Sequence, residues 1–499
     1  MRRTRTLREA PAPERSLDAR SLVRSAWWMS GAHMASQLAA YVCLLVVARL
    51  VAPGAMGAAA TGTAILYVAA VLMDAGTRGS IVVRPDLQRT FIWRSLVRCL
   101  LVGVLVAAAL ALAATPLTRT FAHQTDPAVL AALSAGVPLY ALATVPLALL
   151  QRTMAFRDMA RAWALANVVS SVSAVVAAVL GAGVWALVVR QLSWGVALAA
   201  LAWFFAAPHI PRPDAPSETP ARVVRAHWFM LFAVTQVVTL NLDYLVIGNT
   251  QTVEQLGLYT LAFMIAFAPV QHFSAHVGKV LFAAAAASGA ELSGARTVAA
   301  TRLMAVLFLP CVPVAVVLAP ALLPALLGHK WSGMVVPFQL LIVAGVGYAI
   351  VNCIGEALGG GGRIEFRAKV NVVWCLTMLA ALIALVHLDG IRGAAVAQIG
   401  VFVAYAAVYA TAGVRRAGAA PRTLWHAIRP ILLAVGLQAA ATWAALAVLE
   451  GAGAPHGLAA VVAAMFGTVV MATAATRGSR APLREAIATV RMATRSATP

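Results

Sequence analysis

Charge is what this sequence has least of. Only 11% of its 499 residues are Asp, Glu, Lys or Arg, against roughly 25% in a soluble globular domain. Acids are the scarcer sign, 17 against 38 basic residues, and Lys279, Lys330 and Lys369 are the only lysines. Cysteine is sparse too. Cys43, Cys99, Cys311, Cys353 and Cys375 all fall in apolar runs without a Cys-x-x-Cys pair, so they read as small apolar side chains, not as metal ligands or disulfide partners. Catalytic signatures are missing as well. The glycine run 359–362 is followed by Arg363 and lacks the Lys-Ser/Thr ending of a phosphate loop. No His-Glu-x-x-His or Gly-x-Ser-x-Gly pattern occurs. These absences disfavour an ATP-driven pump and a membrane hydrolase, and no enzyme activity, cofactor or metal is expected. The net charge of +21 does not point to nucleic acid, because no soluble face is available to carry a basic stripe.

What is present is hydrophobic length. Apolar residues make up 62% of the chain and gather in runs of about twenty, the length that crosses a hydrocarbon core of about 30 Å. Fourteen spans are predicted, at 27–48, 57–76, 93–114, 128–149, 160–180, 184–206, 226–248, 257–282, 300–327, 335–357, 369–387, 393–412, 427–449 and 456–475. The first run is too long for a signal-peptide core and reads as a retained span.

Loop charge orients the spans, since cytoplasmic loops are rich in Lys and Arg. With both ends in the cytoplasm, the outside loops hold only Arg49, Arg119, Lys330 and Arg392. Arg190 lies within a span, and every other basic residue is inside. The chain is therefore expected to be an all-α integral membrane protein of the cytoplasmic (inner) membrane, in contact with membrane lipids.

The expected organisation is a basic cytoplasmic tail (1–24), a six-helix bundle (25–206) and a Pro-rich cytoplasmic linker (207–225). A second six-helix bundle (226–413), helices 13 and 14 (426–475) and a basic tail (476–499) follow. In that last tail Leu483, Ile487 and Val490 oppose Arg484, Arg491 and Arg495, the pattern either of a helix on anionic lipid or of a disordered basic segment. The two bundles read as copies. Trp27-Trp28-Met29 is echoed by Trp228-Phe229-Met230, Gln37 by Gln236 and Gly57 by Gly257. Asn167 recurs as Asn371, Gly183 as Gly390 and Gln191 as Gln398, all at offsets near 200. Six spans per copy make a parallel repeat, a plan found in some transporters.

Polar groups inside the membrane are the remaining chemistry. An ionisable side chain at mid-bilayer costs roughly 2.5–3.5 kcal/mol and faces a cavity or a partner. Ser30, His33, Gln37 and Tyr41 share one face of the first span, and Gln236, Thr239 and Asp243 one face of the seventh. The repeat suggests that these stripes face each other across a central cavity. In the eighth span His272, His276 and Lys279 lie at i, i+4 and i+7 on one side. They form either a cationic strip for a phosphate-bearing substrate or a snorkelling lysine with neutral histidines. The repeat sets Arg78 opposite Lys279 at the inner mouth. Arg190 either pairs with Asp243 or meets an anionic substrate. Asp74 and Arg78, four residues apart, suit a local salt bridge, and Glu356 either gates the cavity or anchors a loop.

Several segments resemble the polysaccharide (Wzx-type) flippases of the MOP exporter superfamily, which also contains the MATE drug exporters. They are Ala48-Arg49-Leu50-Val51-Ala52-Pro53 with Gly57, Asp74-Ala75-Gly76, and Leu150-Gln151-Arg152-Thr153-Met154-Ala155-Phe156-Arg157. Gly181-Ala182-Gly183-Val184-Trp185-Ala186-Leu187 and Asn241-Leu242-Asp243-Tyr244, leading to Leu256-Gly257-Leu258-Tyr259, complete the set. The likeness covers about residues 25–285. Thr77 departs from the apolar residue usual after Asp74-x-Gly. The resemblance implies a MATE/MOP-like fold of two bundles around a cavity, plus two C-terminal helices, working by alternating access. It implies a polyprenyl-pyrophosphate-linked oligosaccharide as cargo for exopolysaccharide or lipopolysaccharide assembly in a bacterium, with a polymerase and export machinery as partners. It puts cavity cations on Arg49, Arg78 and Arg190 and their acids on Asp74 and Asp243. Two rivals follow from the sequence. A MATE-like, ion-coupled exporter of organic cations needs unpaired cavity acids. A membrane glycosyltransferase or polymerase needs a larger external loop than any here.

Overall fold

The computed structural model describes residue 37 and residues 39–74, 77–78, 81, 87–121, 126–153, 155–210, 226–287 and 290–478. The N-terminal tail, Ser30, His33, the Trp27-Trp28 motif, most of the Pro-rich linker and the amphipathic C-terminal tail lie outside the described residues. Among the described residues every regular element is helical. The first half comprises α1 (Ala39–Leu50), α2 (Pro53–Asp74), α3 (Arg89–Leu112), the short α4 (Ala114–Phe121) and α5 (Pro127–Ser134). It closes with α6 (Gly136–Arg152), α7 (Phe156–Val179) and α8 (Trp185–Ala206). The second half holds α9 (Ala226–Thr239), α10 (Leu242–Thr250), α11 (Val253–Ala266), α12 (Ala268–Ala287) and α13 (Ala290–Phe308). It continues through α14 (Cys311–Leu327), α15 (Val335–Gly360) and α16 (Ile364–Val408). Two further helices, α17 (Pro421–Gly451) and α18 (His456–Gly478), pack on each other and on α14.

Against the fourteen crossings expected, ten helical stretches among the described residues are long and apolar enough to span, or eleven with α11 and α12 as one span bent by 41°. The difference has identifiable sources. Much of the first span is undescribed, and the apolar part of α18, His456–Met471, is short. The run Ile364–Arg416, at 53 residues, is more than twice the length one crossing needs. It turns on only two non-helical residues, Asp389 and Gly390, where a five-residue loop is expected. The stretch 115–127, expected as an outside loop, is partly helical, as α4.

The repeat is visible in backbone conformation. Gly183 and Gly390 both adopt positive φ, +57° and +51°, a region open to glycine at little cost. Asn167 donates from Nδ2 to Gln37 Oε1 at 3.3 Å, and its counterpart Asn371 donates to Thr235 Oγ1 at 2.8 Å. Each half thus ties its first predicted span to its fifth by one amide.

Gly57 and Gly257 meet at the contact between the halves. Pro53 starts α2, its fixed φ and missing N–H costing nothing there. Thr252 and Gln255 form a capping box that starts α11. Each glycine therefore sits four residues inside its helix, and the helices touch main chain to main chain. A β-carbon at Gly57 would stand 2.0 Å from the Val253 carbonyl oxygen, and one at Gly257 1.8 Å from that of Pro53. Close by, the 3-10 turn His329–Met334 caps the end of α1. Lys330 Nζ donates to the Arg49 and Val51 carbonyls at 2.9 Å each, and the fully buried Trp331 donates from Nε1 to the Ala48 carbonyl at 2.9 Å. These are the carbonyls a helix C-terminus leaves unpaired. Arg49 returns a bond from Nη1 to the Leu326 carbonyl at 3.0 Å. At this end the halves are locked.

Gly57→Ala and Gly257→Ala should each force α2 and α11 apart, costing about 1–3 kcal/mol as an overpacked contact does. Gly54→Ala is the control, because its β-carbon would meet only Val253 Cγ1, at 4.0 Å. Fluorescence-monitored melting of the purified proteins should show a lowered midpoint for the first two and none for the third.

Candidate functional site

A cavity of about 500 Å³ lies between the first half and the α11–α12 bend. Helical spacing selects its lining. From α7 come Trp163, Asn167 and Ser170, at i, i+4 and i+7, and from α8 Arg190, Gln191, Trp194 and Leu198. Gln37, Tyr41 and Leu44 line it from the first span, Tyr67 from α2 and Tyr140 and Leu147 from α6. The second half supplies Met264 from α11 and Ala268, His272 and Ala275 from α12. Pro269, which lacks an N–H to continue the preceding helix, stands at the bend that turns this strip inward.

The formal charge of the lining is of one sign. Arg78 and Arg190 are present, and no Asp or Glu is among the described lining residues. The expected Asp74–Arg78 salt bridge is replaced by a main-chain contact: the Arg78 N–H donates to Asp74 Oδ1 at 3.1 Å. The guanidinium is left to the cavity, its Nε buried without a hydrogen-bond partner. Arg190 has no carboxylate within ion-pair distance among the described residues. It lines the cavity together with Tyr41, Tyr67 and Gln191. His272 turns its Nδ1 to the Ala268 carbonyl at 2.6 Å. The backbone of His276 and Lys279 continues α12, and their side chains lie outside the described set.

The pairing of Arg190 with Asp243 is not formed. Asp243 is fully buried in the second half, where Tyr259 OH donates to its Oδ2 at 2.9 Å and Gln398 Nε2 at 3.4 Å, and the Tyr244 N–H donates to Oδ1. The stripe Gln236–Thr239–Asp243 does not face the cavity either. Gln236 donates to Tyr348 OH at 3.1 Å, and Thr239 to the Thr235 carbonyl. A turn at Leu240–Asn241, with Asn241 Nδ2 on the Val237 carbonyl at 2.7 Å, separates α9 from α10 and takes Asp243 off the common face. Arg49 belongs to the locked end, not to the lining. Glu356 pairs with Arg367 at 2.9 Å, inside the second half, and the Arg367 guanidinium lies 4.1 Å from the Phe232 ring centre.

Sequence reasoning singled out Gln37, Arg78, Arg190 and His272, which the structure brings to one cavity, and missed its aromatic wall. Tyr67, Tyr140, Trp163 and Trp194 line the space, with Tyr140 and Trp194 stacked at 6.0 Å between ring centres. The signal was available. Trp163 is one turn from Asn167, and Trp194 one turn from Arg190.

The sequence profile of a family described as polysaccharide biosynthesis protein matches residues 46–336. The teichuronic acid biosynthesis protein TuaB of Bacillus subtilis (strain 168) is 28% identical over 147 residues, 28% of this chain and 30% of that protein. The lipopolysaccharide biosynthesis protein WzxC of Escherichia coli (strain K12) is 23% identical over 158 residues, 31% and 32% of the two chains. Each match thus spans about a third of the relative's length. Among solved structures, the lipid II flippase MurJ in an inward closed conformation aligns over 90% of this chain and 98% of its own. Its TM-score is 0.67 at 11% identity, a likeness of fold.

Removing one partner of a buried ion pair costs roughly 3–5 kcal/mol, and the 21% exposure of the Glu356 side chain puts its pair at the low end. Glu356→Gln should lower the melting midpoint by several degrees. Glu365→Gln, which breaks the exposed pair with Lys369, should leave it within about one degree.

Proposed function

The chain belongs to the polysaccharide biosynthesis protein family, and on that premise we propose that it flips a polyprenyl-pyrophosphate-linked oligosaccharide across the cytoplasmic membrane by alternating access. The observation that carries the reading is the sign of the cavity: two arginines and no carboxylate in its described lining. An anionic headgroup is drawn to such a space, and organic cations are not. Stacked aromatic rings and amides suit the apolar faces and hydroxyl edges of sugars. The polyprenyl tail stays in lipid, as its apolar surface requires.

In this reading the protein is a multi-pass protein of a bacterial inner membrane with fourteen crossings and both termini in the cytoplasm. The two bundles span 25–206 and 226–413. The locked Gly57–Gly257 end then faces outward, and the bound cargo enters from the cytoplasmic leaflet. Delivery feeds surface or exopolysaccharide assembly, with a polymerase and export machinery downstream.

Depleting the protein should strand lipid-linked repeat units on the cytoplasmic leaflet; undiminished display on the outer leaflet refutes the assignment. Arg78→Gln and Arg190→Gln should each lower complementation of such a strain roughly ten- to hundredfold, the worth of a charge-assisted hydrogen bond. Arg161→Gln, at an exposed pair with Asp158, should complement fully.

A further inference from the structure

Between Asp389 and Glu450 the chain carries no acid. Arg415, Arg416, Arg422 and Arg429, with His426, gather in that stretch where the second half ends and α17 begins. This is the end away from the Gly57–Gly257 contact. α15 starts beside the 3-10 turn that caps α1 and runs 26 residues to Gly360, next to the start of α16. There the Arg416 guanidinium lies 4.2 Å from the ring centre of Phe366, in the first turn of α16. Among the described residues none of the five basic groups makes an ion pair. Glu365, the acid next to Phe366, is held by Lys369 at 2.8 Å.

The faces of α17 are sorted. Leu424, Ala427 and Ile428 join the hydrophobic core, and Gln438, Thr442 and Leu446 continue the buried side. Arg422, His426 and Arg429 lie opposite and exposed, at i, i+4 and i+7. The same stripe goes on as Leu433 and Leu437, 63% and 50% exposed. Charge gives way to hydrocarbon within four residues, about 6 Å of helix. Trp425, also exposed, stands beside that boundary, the level at which indole rings settle in a membrane. Like charges at helical spacing repel, and no carboxylate of this stretch stands between them. A cluster of four arginines next to a membrane helix attracts anionic headgroups. A soluble anion would meet the arginines alone. A phospholipid fits both parts of the stripe, with phosphate on the guanidiniums and an acyl chain along the leucines.

We infer that the outward face of α17 seats an anionic phospholipid, its headgroup on Arg415, Arg416, Arg422 and Arg429 and its acyl chain on Leu433 and Leu437. The bound lipid clamps the α17–α18 pair, which otherwise packs on α13 and α14 and is tied there by Gln438 Nε2, donating to the Pro310 carbonyl at 3.0 Å. The inference is independent of the cargo.

The test titrates the purified full-length protein in detergent with phosphatidylglycerol, phosphatidylcholine or inorganic phosphate and counts bound molecules by native mass spectrometry. The first phosphatidylglycerol should bind about tenfold tighter than phosphatidylcholine, and excess inorganic phosphate should not displace it. Arg415→Gln, Arg416→Gln, Arg422→Gln and Arg429→Gln combined should bind the two lipids alike, and the same four changes to lysine should keep most of the preference. Arg89→Gln with Arg94→Gln, at exposed arginines that open α3, is the control and should keep the tenfold ratio. Phosphatidylglycerol should raise the melting midpoint of the wild type and the control, and not that of the fourfold glutamine variant. A photoactivatable phosphatidylglycerol, mapped on the wild type by peptide mass spectrometry, should label the segment 425–437. Equal affinity of the wild type for both lipids, or label confined to other helices, overturns the inference and needs no variant to fold. So does a folded fourfold glutamine variant that keeps the ratio, or a control that loses it. Displacement by inorganic phosphate marks a free-anion site and overturns it as well.

Discussion

Two helices that touch without side chains between them set the geometry of this protein. At Gly57 and Gly257 the main chains of α2 and α11 are so close that a methyl group has no room. Interfaces between membrane helices gain little from hydrophobicity, because lipid is as apolar as leucine, and small residues that admit close packing hold them together. The approach closes one end of the molecule. The cavity lies between the first half and the α11–α12 bend. The position of the close contact follows from where the glycines fall, four residues into helices started by Pro53 and by the Thr252–Gln255 capping box.

The sign of the cavity follows from a second constraint, the disposal of acids. Each acid with a plausible claim on the cavity is engaged elsewhere. Asp243 is enclosed by Tyr259 and Gln398, Glu356 by Arg367, and Asp74 holds a main-chain N–H. The second half keeps Asp243 and Glu356 for internal bonding, while the first turns Arg78 and Arg190 toward the cavity. Two copies of one plan thus differ in where their charged groups go: Arg78 and Arg190 line the cavity, and Glu356 and Arg367 pair with each other.

Much of this was legible in the residues, and the limits have physical causes. Lipid demands long apolar runs, so spans declare themselves. Gly183 and Gly390, or Gly57 and Gly257, show at matched positions because backbone geometry tolerates little else there. Depth along the membrane is also readable, since it is a count of residues. Direction around a helix is less so once the helix breaks. The Gln236–Asp243 stripe assumed one continuous helix, and the turn at Leu240–Asn241 re-aims its last member. Arg190 and Asp243 were expected at similar depth in neighbouring bundles, but the enclosure of Asp243 by Tyr259 and Gln398 is not readable from a residue count. The aromatic wall does not show among ionisable groups, because Tyr140 and Trp194 present stacked ring faces.

The cap on α1 has a consequence for solvent. Lys330 and Trp331 serve three carbonyls that no other protein donor reaches once the halves part at that end. Hydrocarbon offers nothing to those oxygens, so only water can replace the lost donors. Any form in which the halves part at that end is therefore hydrated there, and its population is coupled to water activity. Osmolytes too large to enter the opening draw the equilibrium back to the closed arrangement.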